Sequence, residues 1–306
     1  MVVGVGWGAE PMPLSVSVVT PSYNQGRFIE QTIHSVLSQR VPGTLQYLVM
    51  DGGSRDETVE ILKRYDASLV WISEKDGGQA EAVNKGIARA RGEIIGWLNS
   101  DDIYYPCAIA SACEFFDRHP EADLVYGNAN HIDEHGRIIE PYPTEDWDFK
   151  RLLQQCYLCQ PAVFFRRRVV NRFGPLDARL RYCMDYEYWL RLAMGGARFA
   201  RMEELLAGSR LYAETKTLGA RVQVHREIND MMRMRVRQVP DRWLFNYAHA
   251  LLDAEGVPRS DRVRFPLRVA WLSLLAALRW NRRISRPMAG TLRTWTGGAL
   301  RTALKR

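Results

Sequence analysis

No apolar run in this 306-residue chain reaches the roughly 18 residues a helix needs to cross a bilayer. The opening, MVVGVGWGAEPMP, has no basic segment followed by a long apolar core, so no signal peptide is expected and the cytoplasm is the expected compartment. Cysteine is sparse: five residues, at 107, 113, 156, 159 and 183, an odd number without the spacing of a disulfide framework. Cys156 and Cys159 form a CxxC, but no second pair or nearby histidine completes a zinc set, and buried thiols are the expectation. The six histidines are dispersed, none at ligand spacing. Internal repeats and low-complexity segments are absent too.

Acid is what the last part of the chain lacks. From Gly256 to Arg306 there are twelve Lys/Arg and one acid, Asp261, which leaves 30 basic and 34 acidic residues in positions 1–255. The net +7 therefore combines a mildly acidic body with a strongly basic tail, the pattern of a working domain with an anion-seeking extension. Otherwise the balance is that of an ordinary globular protein, with 46% hydrophobic and 25% charged residues.

What is present is an alternation of short apolar runs and helical patterns. Leu14–Val19, Tyr47–Met50, Leu69–Ile72, Ile94–Leu98 and Leu124–Tyr126 predict buried strands. Helices are expected at Phe28–Gln39, from about Ser54 (where Ser54 and Glu57 have capping-box spacing), at Ala80–Ala90 and at Pro106–Phe116. This order predicts an α/β fold with a mostly parallel, doubly wound sheet, in which ligands bind beyond the carboxyl ends of the strands. HIDEHGRIIE reads as a hairpin around His135-Gly136, Ala162–Phe165 as a short strand and Tyr186–Met194 as a helix; beyond about Thr217 only helices are expected.

Three polar clusters follow strands: TPSYNQG (20–26), DGGSRD (51–56) and NSDD (99–102). Asp101 and Asp102, next to a buried apolar strand, suit a hard divalent cation that shares its shell with phosphates, or a solvated turn capping the next helix. Asp51 with Gly52 and Gly53 suits close approach to a ligand, or a plain strand-to-helix connection. Asp185, in CMDYEYW at the start of a helical pattern, suits an N-cap. Arg166-Arg167-Arg168 suits either acceptor phosphate or a solvated helix start.

Together the clusters are more specific. VVTPSYNQGRFIEQTIHSVLSQ, YLVMDGGSRDETVEIL and GQAEAVNKGIARARGEIIGWLNSDD closely resemble the family 2 glycosyltransferases of GT-A fold. QPAVFFRRRVV (160–170) and GPLDARLRYCMDYEYWLRLA (174–193) resemble that family's acceptor-side half. The resemblance runs from about Leu14 to about Ala200. It implies an inverting transfer of sugar from a nucleotide diphosphate, dependent on Mg²⁺ or Mn²⁺. Asp102 matches the metal-binding aspartate of a DxD-type motif and Asp101 the one that reaches the ribose. Pro21 and Ser22 match the loop flanking the base, Asp51 the first acid of a DDGS-like signature, and Asp185 the general base, with Glu187 as the second candidate for that role. Gly52 departs from the pattern, replacing an acid that in some relatives reads the pyrimidine.

The resulting expectation is a GT-A-like glycosyltransferase domain at 1–215 and a basic helical extension at 216–306. Its partners would be a nucleotide-sugar donor and a glycan or lipid-linked acceptor in bacterial surface glycan assembly, and no nucleic acid. Within the tail, FPLRVAWLSLLAALRW (265–280) suits a helix lying on a membrane surface, with the catalytic domain as the alternative partner for its leucines. Two rivals are a sugar-phosphate nucleotidyltransferase, against which no glycine- and basic-rich phosphate loop occupies the first strand-helix turn, and a non-catalytic anion- or nucleic-acid-binding module, which leaves Asp51, Asp101, Asp102 and Asp185 unexplained.

Overall fold

The computed structural model describes residues 14–213, 215 and 219–304. The opening segment read for a signal peptide and residues 216–218, beside the expected domain boundary, lie outside that range. The chain divides into two compact units. The first comprises Met1–Trp147, Tyr157–Ala178 and Leu192–Arg210; the second comprises Asp148–Cys156, Arg179–Arg191 and Leu211–Arg306.

The first unit alternates as its apolar runs dictate: β1 (Val16–Ser22), α1 (Gly26–Leu37), β2 (Leu45–Asp51), α2 (Thr58–Lys63), β3 (Val70–Ser73), α3 (Gln79–Arg89), β4 (Ile94–Trp97), β5 (Ile103–Tyr104), α4 (Ala108–Arg118), β6 (Leu124–Ile132) and β7 (Ile138–Pro141). Every residue of β1 and β4 is buried, as expected of strands covered on both faces. Helix α1 buries Phe28, Ile29, Ile33 and Val36, the helical spacing visible in its sequence. Helix α2 starts later than its capping-box spacing suggests, because the Ser54 hydroxyl and N–H are both held by the Asp51 carboxylate.

After α5 (Phe149–Gln154) come β8 (Val163–Arg166), α6 (Arg167–Phe173), α7 (Met184–Met194) and β9 (Phe199–Arg210). The sheet order is β3-β2-β1-β4-β8-β6-β9-β5, with β7 on β6. The run β3-β2-β1-β4 is parallel; β8 then pairs antiparallel with both β4 and β6, and β6 pairs parallel with β9. The expected α/β architecture is therefore present, with β1 at the point where the strand order reverses. A core including Val18, Ile33, Val49, Ile94, Phe116, Val125 and Phe164 holds the helices against it.

The second unit ends in α8 (Arg221–Arg235), α9 (Asp241–Ala254), α10 (Arg264–Asn281) and α11 (Arg286–Ala303). Helix α9 packs on α8 and α10, and α10 on α11. Ala248, Leu252, Val257 and Val269 form their core, with Phe265, Leu272 and Trp295 packed against it. The tail helices thus bury one another's apolar faces. Among the described residues, no helix is long and apolar enough to cross a membrane.

Candidate active site

The polar clusters sit where strands end. Pro21 and Ser22 close β1, Asp51 closes β2 in register with Ser22, and Asp101 and Asp102 follow β4, which flanks β1 on its other side. This is the switch point of the parallel half, the place where open α/β sheets leave a crevice at their carboxyl edge. Five of the six residues singled out from sequence are thereby on one edge of the first unit. Asp185 belongs to the second unit.

Asp51 is 2% exposed and holds the turn that follows it. One of its oxygens accepts from Gly53 N–H (3.1 Å), Ser54 N–H (2.9 Å) and the Ser73 hydroxyl (2.6 Å), and the other from the Ser54 hydroxyl (2.5 Å). Gly53 makes the turn at φ +83°, a conformation L side chains rarely adopt. A Cβ at Gly52 would lie 3.0 Å from an Asp76 carboxylate oxygen. An acid from the loop after β3 thus stands beside position 52. Burial lifts the Asp76 carboxyl above its usual range, against the pull of the Gly78 N–H. Beside this turn, the buried Ser22 hydroxyl has no hydrogen-bond partner among the described residues.

Asp102 is 3% exposed. Its Oδ1 accepts from the Arg210 N–H (2.8 Å) and its Oδ2 from the Asn99 amide (3.1 Å). Asn99 is itself fixed on both sides, accepting from Gln79 (2.7 Å) and the Trp97 indole (3.0 Å) and donating to Gln160 (2.8 Å). The Thr32 hydroxyl lies within hydrogen-bond reach of the carbonyls of Ser100 (3.0 Å) and Asp102 (2.7 Å). Arg210 extends its guanidinium to the carbonyls of Asp101, Asp133 and Glu134 and to Gln31, and lies over the Phe28 ring. Burial, then the charge of neighbouring Asp101, holds the Asp102 carboxyl well above the usual carboxylate range. Two adjacent carboxylates, one buried and one half-buried, offer hard oxygens of the kind a divalent cation takes. Among the described residues, no group of three or more His, Cys, Asp and Glu side chains gathers to hold a metal, so any ion here completes its shell with water or ligand oxygens.

Sequence reading missed Arg210, Gln79 and Gln160. Arg210 ends β9, whose MEELLAGSR stretch lacks strand alternation and carries two glutamates, so nothing in the sequence singles this arginine out.

In the second unit, Asp185 lies in the first turn of α7, half-buried, with Oδ1 2.8 Å from the Tyr186 N–H. Glu187 is completely buried and is held by Arg191 at 2.9 Å and Arg235 at 2.8 Å. A carboxylate neutralised by two guanidiniums out of water is structural. Of the two candidates for the base, Asp185 is the one that is not fully buried.

Residues 17–175 match the model of "Glycosyl transferase family 2". The chain is 27% identical over 215 residues to "Uncharacterized glycosyltransferase RP339" of Rickettsia prowazekii, covering 66% of this chain and 65% of that one. It is 32% identical over 183 residues to "Uncharacterized glycosyltransferase Rv1514c" of Mycobacterium tuberculosis, covering 59% and 69%. The chain thus spans slightly less than two thirds of the Rickettsia relative. Among solved structures, S. aureus TarS 1–349 in complex with UDP-GlcNAc superposes with a TM-score of 0.62 at 16% identity, covering 95% of this chain and 92% of that one. The mannosyltransferase PcManGT from Pyrobaculum calidifontis, in complex with GDP-Man and Mn²⁺, gives a TM-score of 0.58 at 19% identity, covering 96% and 87%. At such identities these likenesses speak for the fold.

Proposed function

The chain belongs to glycosyl transferase family 2, and on that footing we propose that it moves a sugar from a nucleoside diphosphate to an acceptor hydroxyl, with inversion. One observation carries the reading. Two buried carboxylates, Asp51 and Asp102, stand at the switch point held by hydroxyl, amide and main-chain donors, with no ion pair to either among the described residues. Such an arrangement orients both carboxylates and leaves their charge uncompensated until a cation and its nucleotide arrive.

A bound Mg²⁺ or Mn²⁺ would offset charge developing on the departing diphosphate. The resemblance puts that ion on Asp102 and the ribose on Asp101. Both Asp102 oxygens also accept inward hydrogen bonds, so Asp102 fixes the turn as well, and the adjacent, less buried Asp101 can add an oxygen to the same ion. The orphaned Ser22 hydroxyl and the Pro21 backbone suit the nucleoside. Asp76, standing in for the acid absent at position 52, accepts a ring N–H of the base. Uracil and guanine each offer one, and the donors in the two structural relatives, UDP-GlcNAc and GDP-Man, carry these bases. Asp185 takes the proton from the attacking hydroxyl.

The experiment is a panel of nucleotide sugars with Mn²⁺, scored by thermal stabilisation and slow donor hydrolysis. A true donor stabilises the native state by mass action. A panel in which no UDP- or GDP-sugar raises the melting temperature with Mn²⁺ or Mg²⁺ overturns the reading.

We also propose that the acceptor is a glycan or lipid-linked glycan met at a membrane surface. Helix α10 buries Val269, Ala270, Ser273, Ala276, Ala277 and Trp280 and exposes Trp271, Leu275 and Leu278. At 100° per residue the exposed three fall on one face, with Arg264 and Arg268 before them and Arg279 and Arg282 after. An apolar stripe bracketed by arginines suits a helix lying in an anionic interface, each basic residue near it contributing about 1 kcal/mol. The full-length protein should sediment with phosphatidylglycerol vesicles at low salt and not with phosphatidylcholine, and Trp271→Glu with Leu275→Glu should release it. A wild-type protein that stays in the supernatant with both vesicles refutes membrane docking.

A further inference from the structure

The entry to α7 is held by a residue from the basic tail. Glu227, half-buried on α8, accepts three successive main-chain N–H groups: Arg181 on one oxygen (2.9 Å), and Tyr182 (2.7 Å) and Cys183 (2.9 Å) on the other. Cys183 is already the start of the helical ladder, since its carbonyl accepts from Glu187 N–H at 2.9 Å. The N–H groups of Arg181 and Tyr182 precede the helix, and within its first turn Asp185 Oδ1 accepts from the Tyr186 N–H at 2.8 Å. The segment leading into α7 is thus held by the tail, through a charged and therefore strong acceptor.

Eight residues further along α8, roughly 12 Å at 1.5 Å per residue, Arg235 reaches Glu187 two positions beyond Asp185. Helix α8 therefore grips α7 on both sides of Asp185, by a carboxylate on main-chain donors before it and by a guanidinium on a buried side chain after it.

We infer that Glu227 is a positioning residue for Asp185: it holds the three N–H groups that lead into α7 and so fixes the backbone that presents the base. The inference rests on the reading of Asp185 as the base. It gives the C-terminal helices a part in turnover that is separate from membrane docking, and it places that part on one carboxylate.

The test uses full-length protein and four variants: Asp185→Asn, Glu227→Ala, Glu227→Gln, and Asp185→Asn combined with Glu227→Ala. The probe reaction is hydrolysis of UDP-GlcNAc or GDP-mannose with Mn²⁺, whichever the wild type turns over faster, with water as the hydroxyl that loses its proton. Affinity for UDP and GDP with Mn²⁺ is measured on the same preparations. Glu227→Ala should lower turnover roughly tenfold to a hundredfold, the scale for loss of alignment, while nucleotide affinity stays within about twofold of wild type. Glu227→Gln keeps an acceptor oxygen for Tyr182 and Cys183 and should recover most of the rate. On the Asp185→Asn background, Glu227→Ala should cost nothing more. If Glu227→Ala melts below assay temperature, the same cycle run with Glu227→Gln decides, since any loss it causes must also vanish on that background. A Glu227 effect that multiplies with Asp185→Asn, or one that falls on nucleotide affinity, overturns the positioning role and leaves the base reading standing. Wild-type turnover by Asp185→Asn overturns the base reading itself.

Discussion

The two units treat buried carboxylates in opposite ways. At the switch-point edge of the first, Asp51 and Asp102 are held by main-chain N–H groups, serine hydroxyls and an asparagine amide, and the nearby Arg210 guanidinium is aimed at carbonyls. In the second, Glu187 lies between Arg191 and Arg235. Neutral donors orient a carboxylate and leave its charge to act on whatever arrives; two guanidiniums cancel it. The first arrangement is what a cation and a diphosphate require, and the second locks one helix against another. This difference, more than burial or sequence position, separates a candidate functional acid from a structural one when both are inaccessible to water.

The largest effect that would expose the difference is in the second unit. Glu187→Ala strands two arginines around an emptied buried site and should cost about 3–5 kcal/mol, read by urea unfolding. A variant as stable as wild type would mean the pairs contribute nothing, and the contrast would fail. Asp102→Asn comes next. Its amide can accept from the Arg210 N–H but then points a second donor at the Asn99 amide, an unsatisfied contact worth about 1–3 kcal/mol. Its melting temperature should fall, whereas that of Asp101→Asn should not; equal melting would remove the distinction between a turn-fixing Asp102 and a ligand-facing Asp101. Ser73→Ala removes one of several donors to Asp51 and should cost about 1 kcal/mol, with nucleotide affinity weakened by the looser turn. A loss above that scale would show that Asp51 depends on this single hydroxyl. Smallest of all, Trp271→Glu on the exposed face of α10 should change stability by less than about 0.5 kcal/mol and leave donor hydrolysis untouched, while weakening vesicle sedimentation.

Much of the first unit was legible because its information is local. Buried runs such as Ile94–Leu98 announce strands, and the polar clusters that follow them fall on one edge once the parallel order is known. The hairpin at His135-Gly136 appears as β6 and β7, with Gly136 at φ +81°. What sequence did not reveal are pairings across long separations. The Arg210 N–H that holds Asp102 lies 108 residues from it, and Glu227 lies 44 to 46 residues from the N–H groups it accepts. Neither has a motif, because any residue able to donate or accept at that point in space would satisfy the contact. The later start of α2 has a mixed cause: Ser54 has cap spacing, but it donates to nearby Asp51 and its oxygen accepts the distant Asn24 N–H (2.7 Å). Strand β9 also escaped reading, since it carries charged residues in mid-strand where it is exposed.

The central claim is that the Asp101–Asp102 pair binds a nucleoside diphosphate through a divalent cation. Calorimetric titration of UDP and of GDP, each with and without Mn²⁺, into wild type and Asp101→Asn tests it most directly. Wild type should bind at least one of them only when Mn²⁺ is present, and Asp101→Asn should lose that binding with its melting temperature unchanged. Binding that ignores Mn²⁺, or that is equal in wild type and Asp101→Asn, would contradict it.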